Sequence, residues 1–98
     1  MSLIMSRHEI KCIDKSNRTN PNERLEFISG LNGNGTRWRV SQEKAIEGIE
    51  SGKWEFFIMV NGLEIDIEIS IYGHYKILKA KTVVNGLEIL LSLPECSY

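Results

Sequence analysis

Residues 61–71 read Asn-Gly-Leu-Glu-Ile-Asp-Ile-Glu-Ile-Ser-Ile. Leu63, Ile65, Ile67, Ile69 and Ile71 fall on one face of an extended chain, and Glu64, Asp66, Glu68 and Ser70 on the other. A period of two held this long specifies a strand with one dry face and one wet face. It opens on Asn61-Gly62, the dipeptide suited to a two-residue hairpin because both central positions need positive φ. The preceding run, Lys-Trp-Glu-Phe-Phe-Ile-Met-Val at 53–60, is aromatic and β-branched and supplies the partner strand. Whatever else the chain does, it builds an antiparallel sheet.

Other segments are read around that sheet. Residues 8–14 and 23–29 alternate loosely and are expected to be strands, separated by the polar turn-forming stretch 15–22. A glycine-rich turn at 30–35 leads to a short extended piece, 36–40. Ser41 then has the character of an N-cap, with Glu43 suiting the first turn. Ala45, Ile46 and Ile49 make a narrow apolar stripe at helical spacing, and Gly52 is a stop signal. The expectation is a helix over 41–51 that exists only by packing, because it is short and Gly48 costs it about 1 kcal/mol. Residues 75–81 read as a further strand whose Lys76, Lys79 and Lys81 can meet the acidic row. Asn85-Gly86 opens a last extended segment, 87–93, before Pro94. The pentapeptide Asn-Gly-Leu-Glu-Ile occurs at both 61–65 and 85–89 and reads as one turn chemistry used twice. The fold class is therefore α+β: a curled antiparallel sheet of about five strands, in ββ-α-βββ order, with one short helix packed on it.

At 98 residues the chain is one domain, 1–98, with residues 1–7 expected to be a leader outside the fold. Three apolar residues at the start, Leu3 to Met5, are too few for a signal-peptide core, and no apolar run approaches the ~20 residues of a membrane helix. A cytoplasmic protein with no membrane partner is expected, and the sequons at Asn17 and Asn34 then carry no meaning. In a reducing compartment Cys12 and Cys96 are expected to be free thiols. A bridge between them would close a long loop, worth about 4–5 kcal/mol in the chain-entropy model.

Net charge is −1, which gives no global field toward nucleic acid. Its distribution is uneven: +3 over 1–40, −5 over 41–70 and +1 over 71–98. This pattern fits intramolecular pairing across a sheet, or a polarised surface for a partner; cross-strand pairing favours the first.

No constellation in the sequence carries chemistry. His8, Cys12, His74 and Cys96 nominally make a zinc set, but four residues on a strand span about 13 Å, so His8 and Cys12 cannot share an ion. Cys96 beside Pro94-Glu95 lacks the positive setting of a reactive thiol. Gly30, Gly33 and Gly35 imitate a phosphate loop without its Lys-Ser/Thr ending. No catalytic residue, cofactor or metal ligand is assigned. Arg37-Trp38-Arg39 places an aromatic between two cations, a composition used by single-strand binders. On a strand, however, both arginines face away from the tryptophan, which reads better as a core anchor.

One resemblance adds to this. Gly35 to Gly52, with Trp38 before Ile46-x-x-Ile49-x-x-Gly52, then Glu55-Phe-Phe-Ile, then Leu90-Leu-Ser-Leu-Pro-Glu-Cys96, is similar to the small bacterial proteins of domain-of-unknown-function family 3892. The likeness covers roughly residues 35–96 and is most specific at its closing Leu-Leu-Ser-Leu-Pro-Glu-Cys. The second Asn-Gly-Leu-Glu-Ile segment stands where that family carries an Asn-Asn pair. The family has no established activity, so the resemblance implies a domain and no reaction. The functional expectation is a non-enzymatic module for an unknown protein partner, with homodimerisation through a sheet edge or a surplus apolar face as one form. The alternative is a weak nucleic-acid binder through Arg37, Trp38 and Arg39, although the charge balance argues against nucleic acid.

Overall fold

A computed structural model describes residues 6–16, 25–82 and 86–96. The fold is α+β, as the patterning requires. The strands are β1 (Ser6–Glu9), β2 (Cys12–Lys15), β3 (Leu25–Leu31), β4 (Arg37–Ser41), β5 (Trp54–Val60), β6 (Leu63–Tyr72) and β7 (Tyr75–Ala80). The helices are α1 (Gln42–Glu50), between β4 and β5, and α2 (Gly86–Leu91) after β7. One sheet has the order β1-β5-β6-β7, the other β2-β3-β4; among these strand pairs β1–β5 is parallel and the rest antiparallel.

The curl comes from one bent segment. Residues 8–14, expected as one strand, divide at Ile10 and Lys11. Ile10 N–H donates to Phe57 O (2.9 Å) in the first sheet, and Lys11 N–H to Ser29 O (2.8 Å) in the second. The two sheets therefore share a bent strand, and their facing sides enclose Ile10, Ile13, Ile28, Phe56, Ile58, Ile67 and Leu78, all buried. The bend needs Gly30: a Cβ there would collide with Glu9 O and stand 2.6 Å from the Trp38 ring. Ser6 and Arg7, assigned by the sequence to a leader, belong to β1. Residues 1–5 lie outside the described set, as do 17–24, which carry part of the expected loop and the start of the strand expected at 23.

The hairpin expectation holds in detail. Asn61 and Gly62 have φ of 51° and 80°, and Val60 pairs with Leu63. α1 also forms where expected. Ser41 Oγ accepts from Lys44 N–H (3.1 Å), and Gly52 takes φ 75°. The helix packs against β3, β4, β5 and β7, burying Ala45, Ile46 and Gly48. Its first residue, Gln42, bridges the sheets: Oε1 accepts from Leu78 N–H (2.8 Å) and Nε2 donates to Leu25 O (3.3 Å).

Two expectations fail at the C-terminal end. Residues 87–93, read as extended, contain α2 instead. Leu87, Leu90 and Leu91 stand at helical spacing, and Leu90 and Leu91 are buried while Glu88 is exposed. The second Asn-Gly-Leu-Glu-Ile segment is thus no hairpin: Gly86 to Ile89 are helical, and Asn85 lies outside the described residues. The cysteines, expected as free thiols, form a Cys12–Cys96 disulfide with Cα atoms 5.0 Å apart. Spacing along the chain, 84 residues, concealed that the tail returns to β2.

That return is narrow. Ile13 N–H donates to Pro94 O (3.0 Å), Cys96 N–H donates to Ile13 O (3.0 Å), and Ile13 pairs parallel with Glu95. The Cys12–Cys96 bond adds a covalent link beside these two hydrogen bonds, and just upstream Lys15 Nζ of β2 donates to Leu91 O (3.3 Å).

Two measurements check this account. Cys96→Ala is expected to lower the unfolding free energy in urea by about 4–5 kcal/mol, with reduced wild type giving the same loss. Gly30→Ala is expected to cost at least about 2 kcal/mol through overpacking, whereas Gly33→Ala, where a Cβ meets nothing within 4 Å, changes stability by less than about 0.5 kcal/mol.

Candidate interaction surface

Strand alternation separates the three residues singled out as a candidate surface. Trp38 pairs with Gly30 in register, while Arg37 and Arg39 lie opposite Leu31 and Ser29 and project from the other face of β4. Arg39 stacks its guanidinium 3.7 Å from the Phe27 ring centroid and donates from Nε to Asp14 Oδ2 (3.1 Å). Arg37 is exposed. The stack-and-clamp arrangement does not assemble. The nearby glycine-rich segment closes on itself, since Gly35 N–H donates to Asn32 O (2.9 Å) and Thr36 N–H to Asn34 Oδ1 (3.1 Å).

Trp38 instead joins an aromatic cluster drawn from three strands. His8 of β1 lies 5.7 Å from Trp38, edge-on, and 6.0 Å from Phe56. Phe56 of β5 lies 5.6 Å from Trp38 and 6.1 Å from Trp54. These spacings suit tilted and edge-to-face ring pairs, each worth about 0.5–1.5 kcal/mol beyond its buried area. Together with Asn32 and Val40 the four rings line a recess of about 200 Å³.

Two glycines seat the indoles. A Cβ on Gly30 would strike the Trp38 ring, and one on Gly48 would strike Trp54, 2.8 Å from Cδ2. Gly48, a helix-weakening residue when read alone, is therefore the seat of Trp54. Trp38 Nε1 is buried with no acceptor among the described residues, a desolvation cost of about 1–3 kcal/mol. The fold gives up helix propensity at one indole and a hydrogen bond at the other to keep both rings around the recess. Among the described residues no acidic side chain lines it, and Lys53 Nζ sits 4.9 Å from the centroid of Trp54. The sequence singled out Trp38 as a candidate site residue and read Trp54 and Phe56 only as part of an apolar strand face. His8, Trp54 and Phe56 are remote from it in the chain, and only the β1–β5 register, His8 opposite Phe56, brings them together.

The acidic row of β6 meets a cation on the opposite face of the first sheet. Arg7 Nε donates to Glu64 Oε1 (2.9 Å), Nη1 to Glu55 Oε1 (3.1 Å) and Nη2 to Asp66 Oδ1 (2.7 Å). Its guanidinium lies 4.5 Å from the Phe57 centroid. Hydrogen bonding to Glu64 first, then Asp66, raises the Arg7 pKa further above its already high value. Of the three lysines expected to meet the row, Lys79 does, reaching Glu68 across the register (3.6 Å), while Lys76 turns to Glu50 of α1 (2.6 Å).

Of the five aliphatics along β6, Ile67 is buried and Ile65 and Ile69 are half-buried, whereas Leu63 and Ile71 are 68% and 74% exposed. These two are eight residues apart on one strand, about 26 Å, so they do not form one patch.

No family model, curated protein or solved structure matches the chain.

Arg7→Ala is expected to lower stability by no more than about 1 kcal/mol, because the network is solvent-exposed, and 0.5 M salt is expected to shrink that difference. Thermal melts of the two proteins at low and high salt give the comparison.

Proposed function

We propose that this chain is a non-enzymatic interaction module that receives an uncharged apolar side chain of a protein partner in the aromatic recess between β1, β4 and β5. The observation that carries this is the recess itself: four rings, two of them seated on glycines, around a volume the size of one side chain. The described lining, without an acid among its residues, and the ammonium over Trp54 argue for a neutral ring or aliphatic group rather than a cation. Aromatic anchors in partly desolvated pockets are where interface energy concentrates. The nucleic-acid alternative needed Arg37, Trp38 and Arg39 on one surface, and β4 presents them on two.

A distant kinship with family 3892 belongs to the same proposal. What supports it is that the closing Leu90 to Cys96 motif has a defined structural job here, with two buried leucines, a β2 contact and the disulfide. A cytoplasmic setting is also part of the proposal. It gives the disulfide a particular character, since a reducing compartment favours bridges that are made and broken.

Amide NMR with N-acetyl-phenylalaninamide, N-acetyl-leucinamide and N-acetyl-lysinamide tests the recess. The aromatic probe is expected to shift His8, Trp38, Trp54 and Phe56 selectively, and Trp54→Ala to weaken it by about tenfold or more. No shift at roughly 10 mM probe, affinities in the millimolar range being the weakest worth counting, overturns the reading. So does an equal response to the lysine probe.

A further inference from the structure

The rings of the recess account for an apolar occupant, and the two polar residues in its lining narrow which one. Asn32 and His8 line the recess beside Trp38, Val40, Trp54 and Phe56. Asn32 is exposed and His8 half-buried, whereas Phe56 is buried. The polar pair therefore stands at the mouth and the phenyl ring at the floor. Resting on the reading above, we propose that the occupant is a tyrosine side chain of the protein partner. Its ring lies among the aromatic side chains, and its hydroxyl is held at the mouth by Asn32 and His8.

The hydrogen bonds of the 32–36 turn fix what Asn32 has to offer. Asn34 Oδ1 accepts from Thr36 N–H (3.1 Å) and from the Thr36 hydroxyl (2.6 Å). With that proton committed, Thr36 Oγ1 meets the Asn32 side chain as an acceptor, taking a bond from Nδ2 (2.9 Å). The carboxamide is thereby oriented, and the atom it has left is Oδ1, an acceptor. Asn32 N–H donates to Thr36 O (2.7 Å) and Gly35 N–H to Asn32 O (2.9 Å), so the turn holds that oxygen in place before any partner arrives. The ring nitrogens of His8 have no hydrogen-bond partner among the described residues. An imidazole carries an N–H donor in either protonation state.

A phenol matches this pair, because its O–H donates to Asn32 Oδ1 while its oxygen accepts from His8. Phenylalanine or leucine fills the recess but leaves both groups to water. An indole N–H serves Asn32 and offers His8 no acceptor. Trp38 Nε1 is not part of the clasp, since it belongs to the buried indole edge at Gly30. Tyrosine also suits a half-open recess, with its ring buried and its hydroxyl at the wet end. Water competes for both polar groups, so the hydroxyl is worth about fivefold in affinity rather than orders of magnitude.

Amide NMR titration of the full chain with N-acetyl-tyrosinamide, its O-methyl ether and N-acetyl-phenylalaninamide tests the proposal. The tyrosine probe is expected to bind about fivefold or more tightly than the phenylalanine probe. O-methylation, which removes the donor, is expected to abolish that advantage. In Asn32→Ala and in His8→Phe the ratio of the two affinities is expected to fall toward one, a ratio that general loosening of the recess does not alter. Should either variant fail to fold, the O-methyl comparison on the wild-type chain still decides. Equal binding of the tyrosine and phenylalanine probes overturns the tyrosine and leaves the recess reading standing; no binding by any aromatic probe overturns both. A preference that survives O-methylation, or that persists in both variants, overturns the clasp. Tighter binding of N-acetyl-tryptophanamide or of adenosine than of the tyrosine probe overturns it in favour of an indole or a nucleobase.

Discussion

The structure depends on how residues 6–15 divide their backbone hydrogen bonds. β1 gives its amides to β5, β2 pairs with β3, and the change of allegiance falls between two adjacent residues, Ile10 and Lys11. Because every buried peptide group must find a partner, a strand cannot bend this way unless a second sheet stands ready to receive the groups that leave the first. The bend therefore fixes where β3 and β5 lie, and with them the core between the two sheets. It also leaves the outer edge of β2 beyond the reach of β5, and the tail fills that position.

The same geometry produces the aromatic recess. At the bend β1 and β3 approach so closely that only a glycine fits at position 30, and the space a side chain would fill is taken by the indole of Trp38. The parallel β1–β5 register then sets His8 opposite Phe56, and α1 closes over Trp54 through Gly48. The rings converge because strands distant in sequence cross at one corner, and each glycine costs local propensity that ring packing offsets. Sites are often where local preference is overruled in this way.

Charge shows the complementary case. The acidic row of β6 was visible from alternation alone, and its solvent-facing side follows from the same pattern. Its principal partner was not visible. Arg7 lies 57 residues from Glu64 and stood in a segment assigned to a leader. Only the β1-β5-β6 order brings it across two strands to Glu55, Glu64 and Asp66.

What the sequence determined by itself were the features whose physics is local. The β5–β6 hairpin, the dry face of β6 and the Ser41-capped helix each depend on residues within a few positions of one another. The repeated Asn-Gly-Leu-Glu-Ile segment marks the limit. At 61–65 it makes a turn and begins a strand, since Asp-Ile-Glu-Ile continues the alternation and β5 waits to pair. At 85–89 four of the same five residues enter a helix, because Leu90-Leu91 breaks the alternation and puts three leucines on one helical face against β7. Five residues cannot choose between those outcomes; burial against the rest of the chain does. The disulfide, the bend at Ile10 and the recess belong to that second class, being contacts between segments that only the assembled sheets bring within reach.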